Sequence, residues 1–146
     1  MVVGYDGSEA ARPALARAIA DAAESGARLV VVTVAVMPLE AEGPMSFGTL
    51  GDGPPETLSI VAPPEIERVL DEAREQIDAA GVDADYVWET GVPVTALVRE
   101  ARDRDAAAIV VGKGHHTRLG RWLGTDVAAE VEHAAPEGCR VIVVEH

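Results

Sequence analysis

The sequence predicts a single-domain α/β protein: a five-stranded parallel open sheet with helices on both faces, spanning residues 1–146. Length is the first observation, because 146 residues suit one domain with one core. Composition is the second. Hydrophobic residues make up 48% of the chain but aromatics only 3%, so the core must be built from Val, Ile, Leu and Ala, a mix that suits buried parallel strands covered by Ala-rich helices. The third is order. Apolar runs alternate with helical patterns as β-α-β-loop-α-β-α-β-α-β, and such alternation implies a parallel sheet.

Val2-Val3-Gly4-Tyr5 reads as a short first strand. Asp6-Gly7-Ser8 is a turn signal, with Ser8 as N-cap and Glu9 in the first turn of a helix. That helix runs to about Ser25, with Leu15, Ala18, Ile19 and Ala22 as its apolar stripe and Gly26 as its stop. Pro13 falls near its start. Leu29 to Val36 is an almost continuous β-branched run, expected to be a strand buried on both faces. Met37 to Pro64 is rich in Gly and Pro and has no period. Its centre, 39–63, is predicted to be a long surface loop. Pro64 opens a second helix to about Ala80, where Ile66, Val69, Leu70, Ala73 and Ile77 keep helical spacing until Gly81. Val82 to Glu89 alternates and reads as a strand. Gly91-Val92-Pro93 leads into a third helix with Val94, Leu97, Val98 and Ala101 on one face. Arg99, Arg102 and Arg104, set among Glu100, Asp103 and Asp105, read as a solvated salt-bridged face. Ala107 to Val111 is the fourth strand. A glycine-bearing loop follows, then a helix from about Thr125 to Ala134 and a last strand from Cys139 to Val144.

The formal net charge of −13 repels nucleic acid phosphates and anionic lipid headgroups, so neither nucleic acid nor membrane is an expected partner. Cys139 is the only cysteine. It allows no internal disulfide or Cys-based zinc site and reads as a small apolar residue at a strand start. No signal-peptide pattern is visible and no apolar run approaches the length of a bilayer span, so a cytoplasmic location is expected.

The segment Gly112 to Thr125 carries the chemistry. Its glycines let backbone approach a ligand closely. The helix that follows points unpaired N–H groups and its positive dipole end at the same place, and Thr125 adds a hydroxyl. Lys113, the only lysine in the chain, lies here with Arg118 and Arg121, and no acid interrupts them. His115 and His116 can add charge. A local basic segment on so acidic a chain points to an anionic ligand; the competing reading is an ordinary basic surface loop with a helix cap. It is neither a Walker A loop nor the dinucleotide-binding glycine fingerprint.

The spacing Gly112-x-Gly114, nine residues, then Gly124-Thr125 resembles the Gly-x2-Gly-x9-Gly-Ser/Thr motif of the universal stress proteins, with a first gap one residue shorter. Val3-Gly4-Tyr5-Asp6-Gly7-Ser8-Glu9 resembles the family's opening strand and turn, Gly91-Val92-Pro93 its third-helix start, and Arg140 to Val144 its closing strand. The resemblance implies a Rossmann-like fold of the adenine nucleotide alpha hydrolase kind. It also implies a stress-response or regulatory module that binds ATP, or ADP or AMP, with Mg²⁺ as a possible companion of the phosphates. Carried over by position, Tyr5 and Asp6 would sit near ribose and base, and the backbone at Val34 would read the adenine. Val111, Gly112, Lys113, Gly114, His115, Arg118, Gly124 and Thr125 would surround the phosphates. Asp126 follows directly, where its carboxylate either complements the helix dipole or opposes the phosphates unless Mg²⁺ bridges them. Family members commonly dimerise, which implies a homodimer through Arg140–Val144.

No nucleophile–base pair is evident, so a binding module rather than an enzyme is expected. The alternatives are a slow ATP hydrolase using His115 or His116 as acid–base, and a fold that binds no ATP and acts through dimerisation and protein partners.

Overall fold

The computed structural model describes residues 1–35, 64–113 and 127–145. Five strands form one sheet: β1 (Val2–Gly4), β2 (Leu29–Ala35), β3 (Ala84–Thr90), β4 (Ala108–Lys113) and β5 (Arg140–Glu145). Four helices connect them: α1 (Ala11–Ser25), α2 (Pro64–Ala80), α3 (Pro93–Asp103) and α4 (Val127–Ala134). The sheet order is β3-β2-β1-β4-β5, and every pairing is parallel.

Side-chain alternation along the strands builds two apolar layers. Val3, Tyr5, Leu29, Val31 and Val110 face α1 and α2, packing on Leu15, Ala18, Ile66, Val69 and Ile77. Their neighbours Val2, Val30, Val32, Val34, Ile109 and Val111 face the other way, onto Ala96, Leu97 and Ala101 of α3 and Ala128 and Val131 of α4. A strand covered on both faces has no solvent side, hence the unbroken β-branched run of β2, buried from Leu29 to Val34. Each fully buried Val, Leu or Ile contributes about 1.5–3 kcal/mol. All five apolar positions expected on the second helix are buried in α2. On α3 the buried residues are Ala96, Leu97 and Ala101, with Val94 partly buried against them. Val98, expected on that face, is only half-buried.

Several boundaries differ from expectation. Ser8 does not start α1 directly. Its carbonyl accepts from the N–H groups of both Ala11 and Arg12, and its Oγ accepts from Ala11 at 3.2 Å. One extra turn therefore precedes the helix, and Glu9 lies in that turn rather than in the helix. Pro13 becomes the third helical residue, where its missing N–H has no intrahelical partner to lose. β3 begins at Ala84 rather than Val82 and ends at Thr90, β4 begins at Ala108, and β5 runs from Arg140 to Glu145 with half-buried Cys139 just before it. β4 continues through Gly112 and Lys113, which pair with Val144 and Glu145. These two residues are strand, where the sequence suggested the opening of a loop. The expected loop 39–63 lies outside the described residues. Among the described residues, no helix is long and apolar enough to cross a membrane.

Candidate functional site

In open parallel sheets, ligands settle beyond the carboxyl ends of the strands where chain order reverses. Here the reversal lies between β1 and β4, which are hydrogen-bonded neighbours in the sheet's middle. From β1 the chain passes to α1 on one face; the helix after β4, α4, covers the other. The carboxyl rim at this seam is made by Tyr5 to Ser8 on one side and Val111 to Lys113 on the other.

Tyr5 anchors the rim. Its N–H donates to the Val32 carbonyl at 3.0 Å, and its carbonyl accepts from the buried Thr33 hydroxyl at 2.8 Å. Its side chain turns toward α1 and α2, and its hydroxyl donates to a Glu72 carboxylate oxygen that also accepts from Arg12 Nε. Burial, and then the bond to Glu72, push the phenol up to about 12. Every polar group of Tyr5 therefore has a protein partner. The residue positions its neighbour Asp6, and any ligand would meet it through the surface it shares with that turn.

Asp6 closes the turn by accepting the Ser8 N–H at 2.9 Å, leaving Oδ2 free of any bond described here. Gly7 holds φ at +79°, and a Cβ there would also press within 3.3 Å of Val69 Cγ2. Gly112 has a different reason to be glycine. A Cβ on it would overlap the Ala10 carbonyl, reaching its carbon at 2.7 Å. The end of β4 thus lies directly against the backbone of the turn after β1, and the two sides of the seam form one wall.

Val34 and Val111 are buried on the α3–α4 face, so a ligand would meet their backbone and not their side chains. The Lys113 ammonium, taken as the cationic element of an anion site, has a partner: Glu145 Oε1 at 3.5 Å, both side chains largely exposed. Surface pairs of this kind are worth about 0–1 kcal/mol, weak enough for a phosphate to displace. Gly114, His115, Arg118, Gly124, Thr125 and Asp126 lie outside the described residues. The described residues contain no group of three or more His, Cys, Asp or Glu placed to hold a metal ion.

Sequence reasoning missed a second part of the rim. Where β3 ends and α3 begins, Glu89, Thr90, Gly91, Val92, Thr95, Ala96 and Arg99 line a cleft of about 240 Å³. Glu89 is the register partner of Val34, and its Oε1 pairs with Arg99. Its Oε2 is closed to solvent and has no hydrogen-bond partner among the described residues. The charge pattern groups Arg99 with the solvated face of its helix. The available signal is its helical spacing from Val92, Thr95 and Ala96, which line the same cleft. Arg104 does behave as expected with Glu100, at 2.9 Å, and also reaches Asp85. Hydrogen bonds from Arg28 and then Arg104 hold the Asp85 carboxyl down at about 2.

Comparison with known proteins identifies the family and the fold. A sequence model of the family described as Universal stress protein family matches residues 1–145. A universal stress protein crystallised in complex with cAMP is 32% identical, with 98% of this chain and 94% of that chain covered and a TM-score of 0.66. Two more distant structures share the fold. One is from Archaeoglobus fulgidus in complex with dAMP (23% identity, 98% and 94% covered, TM-score 0.61). The other is from Arabidopsis thaliana with AMP bound (18% identity, 99% and 90% covered, TM-score 0.62). No protein of curated function matches the chain.

Proposed function

Because the chain belongs to the universal stress protein family, we propose that it is a regulatory stress-response module that binds an adenine nucleotide at the β1–β4 seam. The observation that carries this reading is the contact of Gly112 with the Ala10 carbonyl. It sets the Asp6 turn and the end of β4 side by side, at the place where doubly wound sheets take nucleotides. The cAMP complex of the 32% identical relative supports the ligand class.

In this reading Asp6 meets the ribose and the rim backbone at Val34 meets the base. Val111, Gly112 and Lys113 lead to the phosphates, together with Gly114, His115, Arg118, Gly124, Thr125 and Asp126. ATP, ADP and AMP are the candidate ligands, and Mg²⁺ would enter with the phosphates, keeping several of its waters. The protein acts by binding, in the cytoplasm, as a homodimer. The half-buried Val141–Val144 on the sheet's margin supports the dimer.

Calorimetric titration with ATP, ADP and AMP, with and without Mg²⁺, tests the proposal. Saturable binding of at least one of them below millimolar concentration is expected, with no phosphate release on prolonged incubation with ATP. Absence of both heat and thermal shift at millimolar nucleotide would leave a scaffold acting through protein partners. Steady phosphate release would make it a slow hydrolase.

A further inference from the structure

The cleft between β3 and α3 has an unusual lining. Glu89 Oε1 is engaged by Arg99, while Oε2 has neither a partner among the described residues nor access to water. A buried acceptor left without a donor is costly, and such groups in folded proteins call for an explanation. The terminal torsion of a glutamate is broad and two-fold, and the side chain keeps 22% of its surface exposed. A small turn of the carboxylate brings Oε2 to the cleft wall, where an N–H donor would satisfy it.

The position of the cleft says which end of a ligand reaches it. Glu89 is opposite Val34 and points to the same face of the sheet. Two inter-strand steps, roughly 10 Å, separate β3 from β1. The cationic side of the rim lies beyond β1, at Lys113. A carboxylate repels phosphate, so the phosphate end belongs there and the opposite end of the ligand belongs at Glu89. The volume of about 240 Å³ falls below the ~300–1,000 Å³ of pockets that hold whole drug-sized ligands. It has room for a heterocycle and not for an entire nucleotide.

We infer that Glu89 is a specificity-determining residue that reads the amino edge of the bound base, accepting from the exocyclic amine of adenine and rejecting a 6-oxo purine. Arg99, paired with Oε1, keeps the side chain at the cleft and leaves Oε2 for the ligand. This rests on the nucleotide reading of the seam and names the chemistry that selects among nucleotides there. A 6-oxo purine sets its oxygen where the amine stood, leaving only N1–H, one ring position over, to donate; a dimethylated amine has no N–H at all. An adenine amine supplies the donor that Oε2 lacks.

Calorimetry with AMP, IMP and N6,N6-dimethyl-AMP on wild type and Glu89→Gln tests it. Wild type should prefer AMP to either analogue by at least about tenfold, since sites built around a buried polar group discriminate against ligands that leave it unpaired. In Glu89→Gln the amide can accept or donate, and the AMP:IMP ratio should fall to within about threefold. The dimethyl analogue probes the same contact from the ligand side and needs no variant. Equal affinity of wild type for all three, or an AMP:IMP ratio unchanged in Glu89→Gln, overturns the assignment of Glu89 while leaving nucleotide binding intact. If wild type binds none of the three, and neither ADP nor ATP, the nucleotide reading of the seam fails and this inference with it.

Discussion

At the scale of single residues, the clearest consequence belongs to Tyr5. Its phenol is raised to about 12, chiefly by burial, against about 10 in an unfolded chain. The fold favours the protonated form, so this contribution to stability is intact below pH 10 and is lost as pH rises through 12. Tyr5→Phe should cost about 1–2 kcal/mol at neutral pH, from the lost bond to Glu72, and should melt with a shallower decline than wild type between pH 10 and 12. A matching decline in both proteins, followed by circular dichroism, would mean that Tyr5 is not the titrating group. Tyr86 is also shifted upward by burial, so the difference between the two curves is the quantity to read. Residues were unevenly legible in the sequence. Asp6 and Gly7 announced a turn, and the turn is there. Gly112 reads in sequence as a loop glycine shaped for a ligand, yet its described constraint is the Ala10 carbonyl, in the turn that follows β1. Contacts between distant segments leave no local pattern; the pairing of Glu89 with Arg99, close in sequence, is masked instead by the run of alternating charges on the helix.

Elements were more legible, because strand and helix periods are properties of neighbouring residues. The α2 stripe and the two-sided burial of β2 follow directly from spacing and composition. Boundaries slipped where backbone hydrogen bonds decided them, as at Ser8, whose double acceptance delayed α1. Of the elements, β5 bears most on assembly. Among the described residues it pairs with β4 alone. The Arg140 N–H points inward, to the Ala107 carbonyl. Inward and outward groups alternate along a strand, so the Val143 N–H points outward. Proline at an outward position of a margin strand leaves the internal ladder untouched. Wild type should therefore sediment as a dimer at micromolar concentration and Val143→Pro as a folded monomer. A monomeric wild type would remove β5 as the dimer surface.

Across the whole molecule, charge outweighs individual pairs. Arg17–Asp21 and Arg74–Asp71 are exposed ion pairs, each worth about 0–1 kcal/mol. The net charge of −13 is a collective self-repulsion that salt screens. Added sodium chloride should raise the melting temperature, and a fall would show that the local pairs dominate. Topology has a consequence of a different kind. β1 is three residues long, yet it joins β2 on one side and β4 on the other, and Val3 pairs with both Val31 and Val110. The second pairing closes a far longer stretch of chain than the first, and closure entropy grows with the length enclosed. The strand contact costliest in chain entropy is thus the one that creates the crevice. A molecule seated across it acts as a clasp between the first and last thirds of the polypeptide, and by mass action its occupancy adds directly to the free energy that keeps them joined.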